Sequence, residues 1–382
     1  MTIQTLRFRR WPWIQVSMLI AAVSVMHSTE ANEGDSPKFR LVPLESGIEA
    51  SLRGSAVSKD GNVWISGSGG TVIRSVNGGQ SWQPIHIPDS DDLDFRDIEV
   101  RPDGDVLLMC VGPGSASRVL RSSDSGASWR VVLRNKDDEG FFDGMSFAPN
   151  SGWGALYGDA VEGRFAVYLT DDDGESWTRL PMGPAARQGE HGFAASGSGI
   201  HVSEESIQFV TGGSVARVLT STDRGLHWSS SQTPIQSGKP SSGIFSIANL
   251  DPNKSVIVGG DYLDPTHDQQ NLARTLDGGQ TWISIATRMD HLACIRTIGG
   301  QGLIACGRTG VSISFDGGVQ WKDVSSEGYF TAAVNHRQQC AYLAGSDGRV
   351  ALLEWGQDER PRDCSDDCSD DCSDNCSDNK EP

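Results

Sequence analysis

Three arginines occupy one place in a recurring phrase. Arg53, Arg96 and Arg296 open short strand-like segments in Leu52-Arg53-Gly54, Phe95-Arg96-Asp97 and Ile295-Arg296-Thr297, and Phe142-Asp143-Gly144 puts a carboxylate in the same register. The corresponding openings Phe193-Ala194-Ala195, Phe245-Ser246 and Phe330-Thr331 are uncharged. A guanidinium group is permanently charged and presents a planar fork of donors, so several around one funnel require either acidic partners or an anionic ligand. Acidic partners exist: Asp159 in "YGDAVEGRF", Glu190 beside His191 in "GEHGFAASG", and Asp261 beside Tyr262 in "GGDY". Arg118 and Arg217 occupy similar places in "SASRVL" and "SVARVL", ahead of third strands. A closed network of ion pairs and a site for an anion both account for this set.

Other chemistries find less support. No G-x-G-x-x-G follows a strand, "GSGGT" lies between two strands rather than before a helix, and neither C-x-x-C nor G-x-S-x-G occurs. The eight histidines are scattered. No cofactor and no metal site is expected.

The elements that must position these residues are marked by a second repeat. "SVNGGQSW", "SSDSGASW", "TDDDGESW", "STDRGLHW", "TLDGGQTW" and "SFDGGVQW" are six versions of one turn. They place Asn77, Asp124, Asp172, Asp223, Asp277 and Asp316 five residues before Trp82, Trp129, Trp177, Trp228, Trp282 and Trp321. An aspartate accepts backbone N–H bonds across such a loop, glycine supplies the positive φ, and the aromatic covers the turn. These acids are therefore structural. The period of roughly 40 to 50 residues suits a four-stranded propeller blade. Blade one runs through "SLRGSAVSKD", "NVWISGSGG", "TVIRSVNGG" and "SWQPIHIP", and blades two to six begin near Leu93, Phe141, Gly192, Ser242 and Leu292. A seventh segment, 329–355, has only three strands, and "KFRLVPLE" (38–45) supplies the fourth by pairing with it. The expected fold is all-β: a seven-bladed β-propeller closed by its N-terminal strand, with six or eight blades also compatible with the spacing.

The boxes S/T-x-D-x-G-x-x-W resemble the Asp-box, or BNR, repeats of sialidases and other propellers. "WISGSGGTVIRSVNGGQSW" resembles the blade pattern of photosystem II assembly and stability factors. Over 39–355 the chain is similar to exported bacterial and plant propellers often labelled oxidoreductase or glycosyl hydrolase, through phrases such as "LDFRDIEV", "VGPGSASRVLRSSDSG" and "SGIFSI". The resemblance implies the fold and little chemistry. Sialidase chemistry would need an arginine triad, a tyrosine paired with a glutamate, and an acid/base aspartate, for which Arg53, Arg96, Arg296, Tyr262, Glu190 and Asp159 supply the types. Sialidases, however, resemble six-bladed rings with an F/Y-R-I-P opening, whereas "FRLVP" (39–43) has an extra residue and reads as the closing strand. The leading expectation is a binding or assembly scaffold for a protein partner or small anionic ligand at the central channel. A glycoside hydrolase is the alternative, and an oxidoreductase a weaker one.

Composition sets the surroundings. Residues 1–31 carry Arg7, Arg9 and Arg10, an apolar run and small residues before Asn32, the pattern of a secretory signal cut after Ala31. The run is shorter than the about 20 residues that span a bilayer and is broken by Gln15, so no stable span is expected after cleavage. The expected location is periplasmic or extracellular, as a monomer. A net charge of −18 argues against nucleic acid as partner. Part of it sits in residues 357–382, where Cys364, Cys368, Cys372 and Cys376 recur among aspartates. This stretch reads as a disordered acidic tail, with disulfides to a partner or metal binding as the sharper alternative. In "CIRTIGGQGLIAC" the Gly299-Gly300 turn sets Cys294 opposite Cys306, as a disulfide or as two buried free thiols.

Overall fold

A computed structural model describes residues 38–286 and 288–356. The proposed signal and the acidic tail lie outside the described residues. Seven sheets follow one another along the chain, and six of them have four strands. Blade one is Leu52–Val57, Val63–Gly67, Val72–Ser75 and Gln83–Pro84, and each later blade repeats this antiparallel meander. Blade seven is completed from the other end of the chain. Phe39–Leu44 pairs antiparallel with Val350–Trp355, from Phe39 opposite Trp355 to Leu44 opposite Val350. This is the seven-bladed ring with an N-terminal clasp that the repeats predict.

The apolar core is divided among the blades. Seven hydrophobic clusters each lie between two adjacent sheets: Trp64 and Val72 of blade one, for example, pack with Phe95, Val106 and Leu108 of blade two. The box tryptophans belong to these seams. Trp129 packs against the cluster between blades one and two, Trp177 against that between two and three, and Trp228 against that between three and four. Each therefore joins its own blade to the preceding one. Blade seven has no box, and its seam with blade six is filled by Trp355 together with Phe39 of the clasp.

Within each box the Oδ1 hydrogen bonds follow one pattern. At Asp124, Oδ1 accepts from Ser122 Oγ at 2.8 Å and from Ser128 N at 2.8 Å, Oδ2 accepts from Ser128 Oγ at 2.6 Å, and Trp129 Nε1 donates to Gly126 O at 3.1 Å. Asp172, Asp223, Asp277 and Asp316 repeat the Oδ1 contacts. Hydrogen bonds from Ser128 hold the Asp124 carboxyl down at about 2. Asn77 keeps the Oδ1 contacts, accepting from Ser75 Oγ and Ser81 N at 3.0 Å each.

Blade four departs from expectation. Its inner strand is Ile200–Val202, not Phe193-Ala194-Ala195, and the stretch from Gly192 to Gly199 is a loop folded over the mouth of the channel. Serines tie it there: Ser198 Oγ meets Ser196 Oγ and Ser246 Oγ at 2.6 Å, and Ser196 Oγ donates to Ala293 O at 3.0 Å. The short pairs Glu190–His191 and Gly212–Gly213 add to blade five, whose sheet thus has six strands.

Candidate functional site

The mouth of the ring at the start of the inner strands holds a cavity of about 430 Å³. Four of its lining residues are placed by one local device. In blades one, two, three and five the inner strand bulges within one to three pairs of its first contact with the second strand, and the residues skipped are Arg53, Arg96, Asp143 and Phe245. A bulge re-aims the extra side chain out of the ladder, and here all four line the cavity.

Arg296 does not join them. Blade six pairs without a break from Cys294 to Thr297, so Arg296 stays in the regular ladder and lies outside the cavity. Its Nε donates to Ala332 O at 3.3 Å, and its charge acts on Asp97 and Glu99, two carboxyls whose burial pushes them up. Ala293 takes the corresponding place at the mouth. The triad expected from sequence is thus a pair, Arg53 and Arg96, and the third cation is one the inner strands did not reveal: Arg308, in the turn after Gly302–Gly307.

Arg96 is neutralised by Asp94, with Nε to Oδ2 at 2.7 Å, and donates from Nη1 to Ala194 O at 3.0 Å. Arg53 makes no ion pair among the described residues. Its Nε reaches Ser51 Oγ at 3.2 Å and its guanidinium lies 3.9 Å above the Phe330 ring. Burial, then the neighbouring Arg96, lowers it to about 10, still charged at neutral pH. Arg308 is exposed and has neither ion pair nor side-chain hydrogen bond among the described residues.

Across the cavity stand two carboxyls. Asp143 is 2 % exposed, and its Oδ2 finds no N–H or hydroxyl donor. What it meets is Asp159, within hydrogen-bonding range, and burial followed by that neighbour pushes Asp143 well above the usual carboxylate range. Asp159 Oδ1 accepts from Gly192 N at 2.9 Å. Only glycine fits there, since a Cβ on Gly192 would fall 2.3 Å from Asp143 Oδ2. The remaining wall is aromatic. Phe193 and Phe245 stack at 3.9 Å with 13° between planes, and Tyr262 meets both edge-on at 6.3 Å. His291, 3 % exposed, lies edge-on to Phe245 with both ring nitrogens unpartnered. Burial, then Arg308, lowers it to about 4, so the ring is neutral at pH 7.

The other candidates are consumed elsewhere. Glu190 forms a buried fork with Arg217, Nε to Oε1 at 2.8 Å and Nη2 to Oε2 at 2.6 Å. Asp261 Oδ2 accepts from Lys239 Nζ at 2.9 Å, although the adjacent Tyr262 does line the cavity. Arg118 Nε reaches Ala116 O at 3.4 Å, outside the site. His191 Nδ1 lies 2.8 Å from Gly192 O. Cys294 and Cys306 are opposite each other as expected, but as free buried thiols. The sialidase-type set is therefore not assembled: Arg296 and Glu190 are both engaged elsewhere. The two mouth carboxyls also touch, where glycosidases hold theirs about 5 to 9.5 Å apart.

No family model matches the chain. Photosystem II assembly protein Ycf48 of Thermosynechococcus vestitus is 25% identical over 259 residues, covering 57% of this chain and 67% of its own. Among solved structures, Ycf48 bound to a D1 peptide superposes with a TM-score of 0.59 at 14% identity, over 85% of this chain and 98% of that one. Ycf48 from Cyanidioschyzon merolae gives 0.57 at 18% identity, over 83% and 98%. These structural likenesses establish the propeller fold.

Proposed function

We propose that this propeller is a binding or assembly scaffold that holds a carboxylate-bearing partner at the mouth of its channel and performs no chemistry on it. The observation that carries this reading is Arg53, a half-buried guanidinium with an aromatic ring beneath it and no ion pair among the described residues. A charge so placed costs free energy that an incoming anion offsets. Arg308 adds a second uncommitted cation at the same rim. A protein segment is the favoured partner, because the curated protein to which the chain is similar is an assembly protein, and a small anionic molecule is the other. The basic and apolar pattern of residues 1–31 supports action outside the cytoplasm, which the intact mass of the mature protein would test by showing cleavage after Ala31.

The test compares affinity capture from native extract by the wild type and by Arg53→Ala. Since Arg53 has no partner charge to strand among the described residues, the variant should keep its melting temperature and lose the captured proteins or acids. Retention of the same partners by the variant sinks the reading.

A further inference from the structure

The cavity is polar at both ends, in opposite senses. Arg53 and Arg308 come from blades one and six, while Asp143 and Asp159 come from blade three, with the Phe193–Phe245 stack and Tyr262 from the blade four loop and blade five between them. An anion alone satisfies only the first end. Asp143 Oδ2 and both nitrogens of His291 are buried polar atoms without partners, and a buried polar group without a hydrogen bond is costly. Asp143 lines the cavity and its orphaned oxygen is an acceptor, so it marks where a ligand supplies a donor, whereas the neutral His291 ring offers one donor and one acceptor. The cavity volume lies in the range of small-molecule sites.

We propose that the mouth is a zwitterion site for an amino-acid-like ligand. Arg53 and Arg308 take its carboxylate, the Phe193–Phe245 stack receives an apolar or aromatic body, and Asp143 with Asp159 hold a primary ammonium group. The proposal rests on the anion-binding reading above and adds its second pole.

Proton bookkeeping gives the site a signature. Two touching carboxyls cannot both ionise at modest cost, so the free pair retains one proton. Asp159 faces Asp143 from the neighbouring strand, burial and then Asp143 raise the Tyr157 phenol, and His191 acts on Asp159 from the short strand before the loop. Neither carboxyl forms an ion pair with a lysine or arginine among the described residues. An ammonium group carries its own positive charge and donors, so its arrival expels the shared proton to solvent.

The experiment is calorimetric titration of the full chain with L-phenylalanine, 3-phenylpropionate and phenethylamine. These share the ring and differ in which charge they carry. Phenylalanine should bind about ten-fold tighter than 3-phenylpropionate, the gain of one charge-assisted hydrogen-bonded pair, with phenethylamine weakest. Its binding heat should vary with the ionisation enthalpy of the buffer, reporting proton release, and that of 3-phenylpropionate should not. Asp143→Asn should reduce phenylalanine to the affinity of 3-phenylpropionate, with Asp159→Asn as the second variant if the first fails to fold. Equal affinity for the two acids, both weakened by Arg53→Ala, would overturn the zwitterion site while leaving the anion site standing. No binding of any probe at millimolar concentration, or binding indifferent to Arg53→Ala, would overturn both.

Discussion

Asp277 closes its turn with both carboxylate oxygens: Oδ1 accepts from Thr275 Oγ1 at 2.7 Å and Thr281 N at 2.9 Å, and Oδ2 accepts from Thr281 Oγ1. The first box does the same work with Asn77 through one oxygen and an amide donor. Asp277→Asn should therefore lower the melting temperature less than Asp277→Ala, and equal losses would show that the Oδ1 contacts contribute nothing. Asp97 behaves in the opposite sense. It is 3 % exposed, and burial followed by Glu99 pushes it up to about 8, although its Oδ2 accepts from Met145 N at 2.8 Å. In the unfolded chain it ionises near the ordinary value of about 4, so rising pH favours the unfolded state until the folded group also titrates. Asp97→Asn keeps an acceptor for Met145 and should flatten the decline of melting temperature from about pH 5 to about pH 8. An unchanged slope in thermal scans would count against Asp97 as its source. At this scale the sequence exposed half of the site. Arg53, Arg96 and Asp143 share a phrase that follows from the bulge, and Asp159 and Tyr262 stand out at the ends of second strands in "YGDAVEGRF" and "GGDY", whereas Arg308, after Gly307 at another such end, does not stand out. Aligning those strand ends brings Arg308 into line with Asp159. Nothing in the letters distinguishes the bulged Arg53 from the unbulged Arg296, because a bulge depends on the register of the partner strand.

The element that closes the ring was legible because blade seven lacks a strand and "FRLVP" has the alternation to supply it. The inner strand of blade four was not. The apolar Phe193 imitates a strand opening, but glycines and serines after it favour a loop, and channel hydrogen bonds to Ser246 and Ala293 hold it. Gly197 adopts φ +70°, and a Cβ there would fall 2.0 Å from Asp97 Oδ1, so this loop and the buried acid require each other. Deleting residues 38–44 removes six residue pairs from blade seven and bares the strand Val350–Trp355. The deletion should lower thermal stability sharply and promote association through the exposed edge. A full-length melting curve in the truncated protein would contradict the clasp. In the same seam Trp355 is 5 % exposed and stands where the other blades use box tryptophans. Trp355→Ala should cost about 3–5 kcal/mol in denaturant unfolding, the usual range for deleting a buried large aromatic.

As a whole, the molecule keeps its stability in seams between neighbours, and its one broken connection is bridged by the clasp. The two strands there are antiparallel, and their outer ends sit side by side: Phe39 faces Trp355, and Gly356 N donates to Lys38 O at 3.1 Å. Ladder hydrogen bonds of an antiparallel pair run perpendicular to the strands. Tension applied between residues 38 and 356 is therefore directed along those bonds and loads them one after another, as a zipper opens, instead of shearing all of them together. The ring should be robust to heat and weak to pulling. In a single-molecule tether attached at these two points, the clasp should peel at low force and rejoin on relaxation. Attachment at residues 44 and 356 would load the same strands in shear, and a rupture force no higher than in the first geometry would refute this mechanical reading.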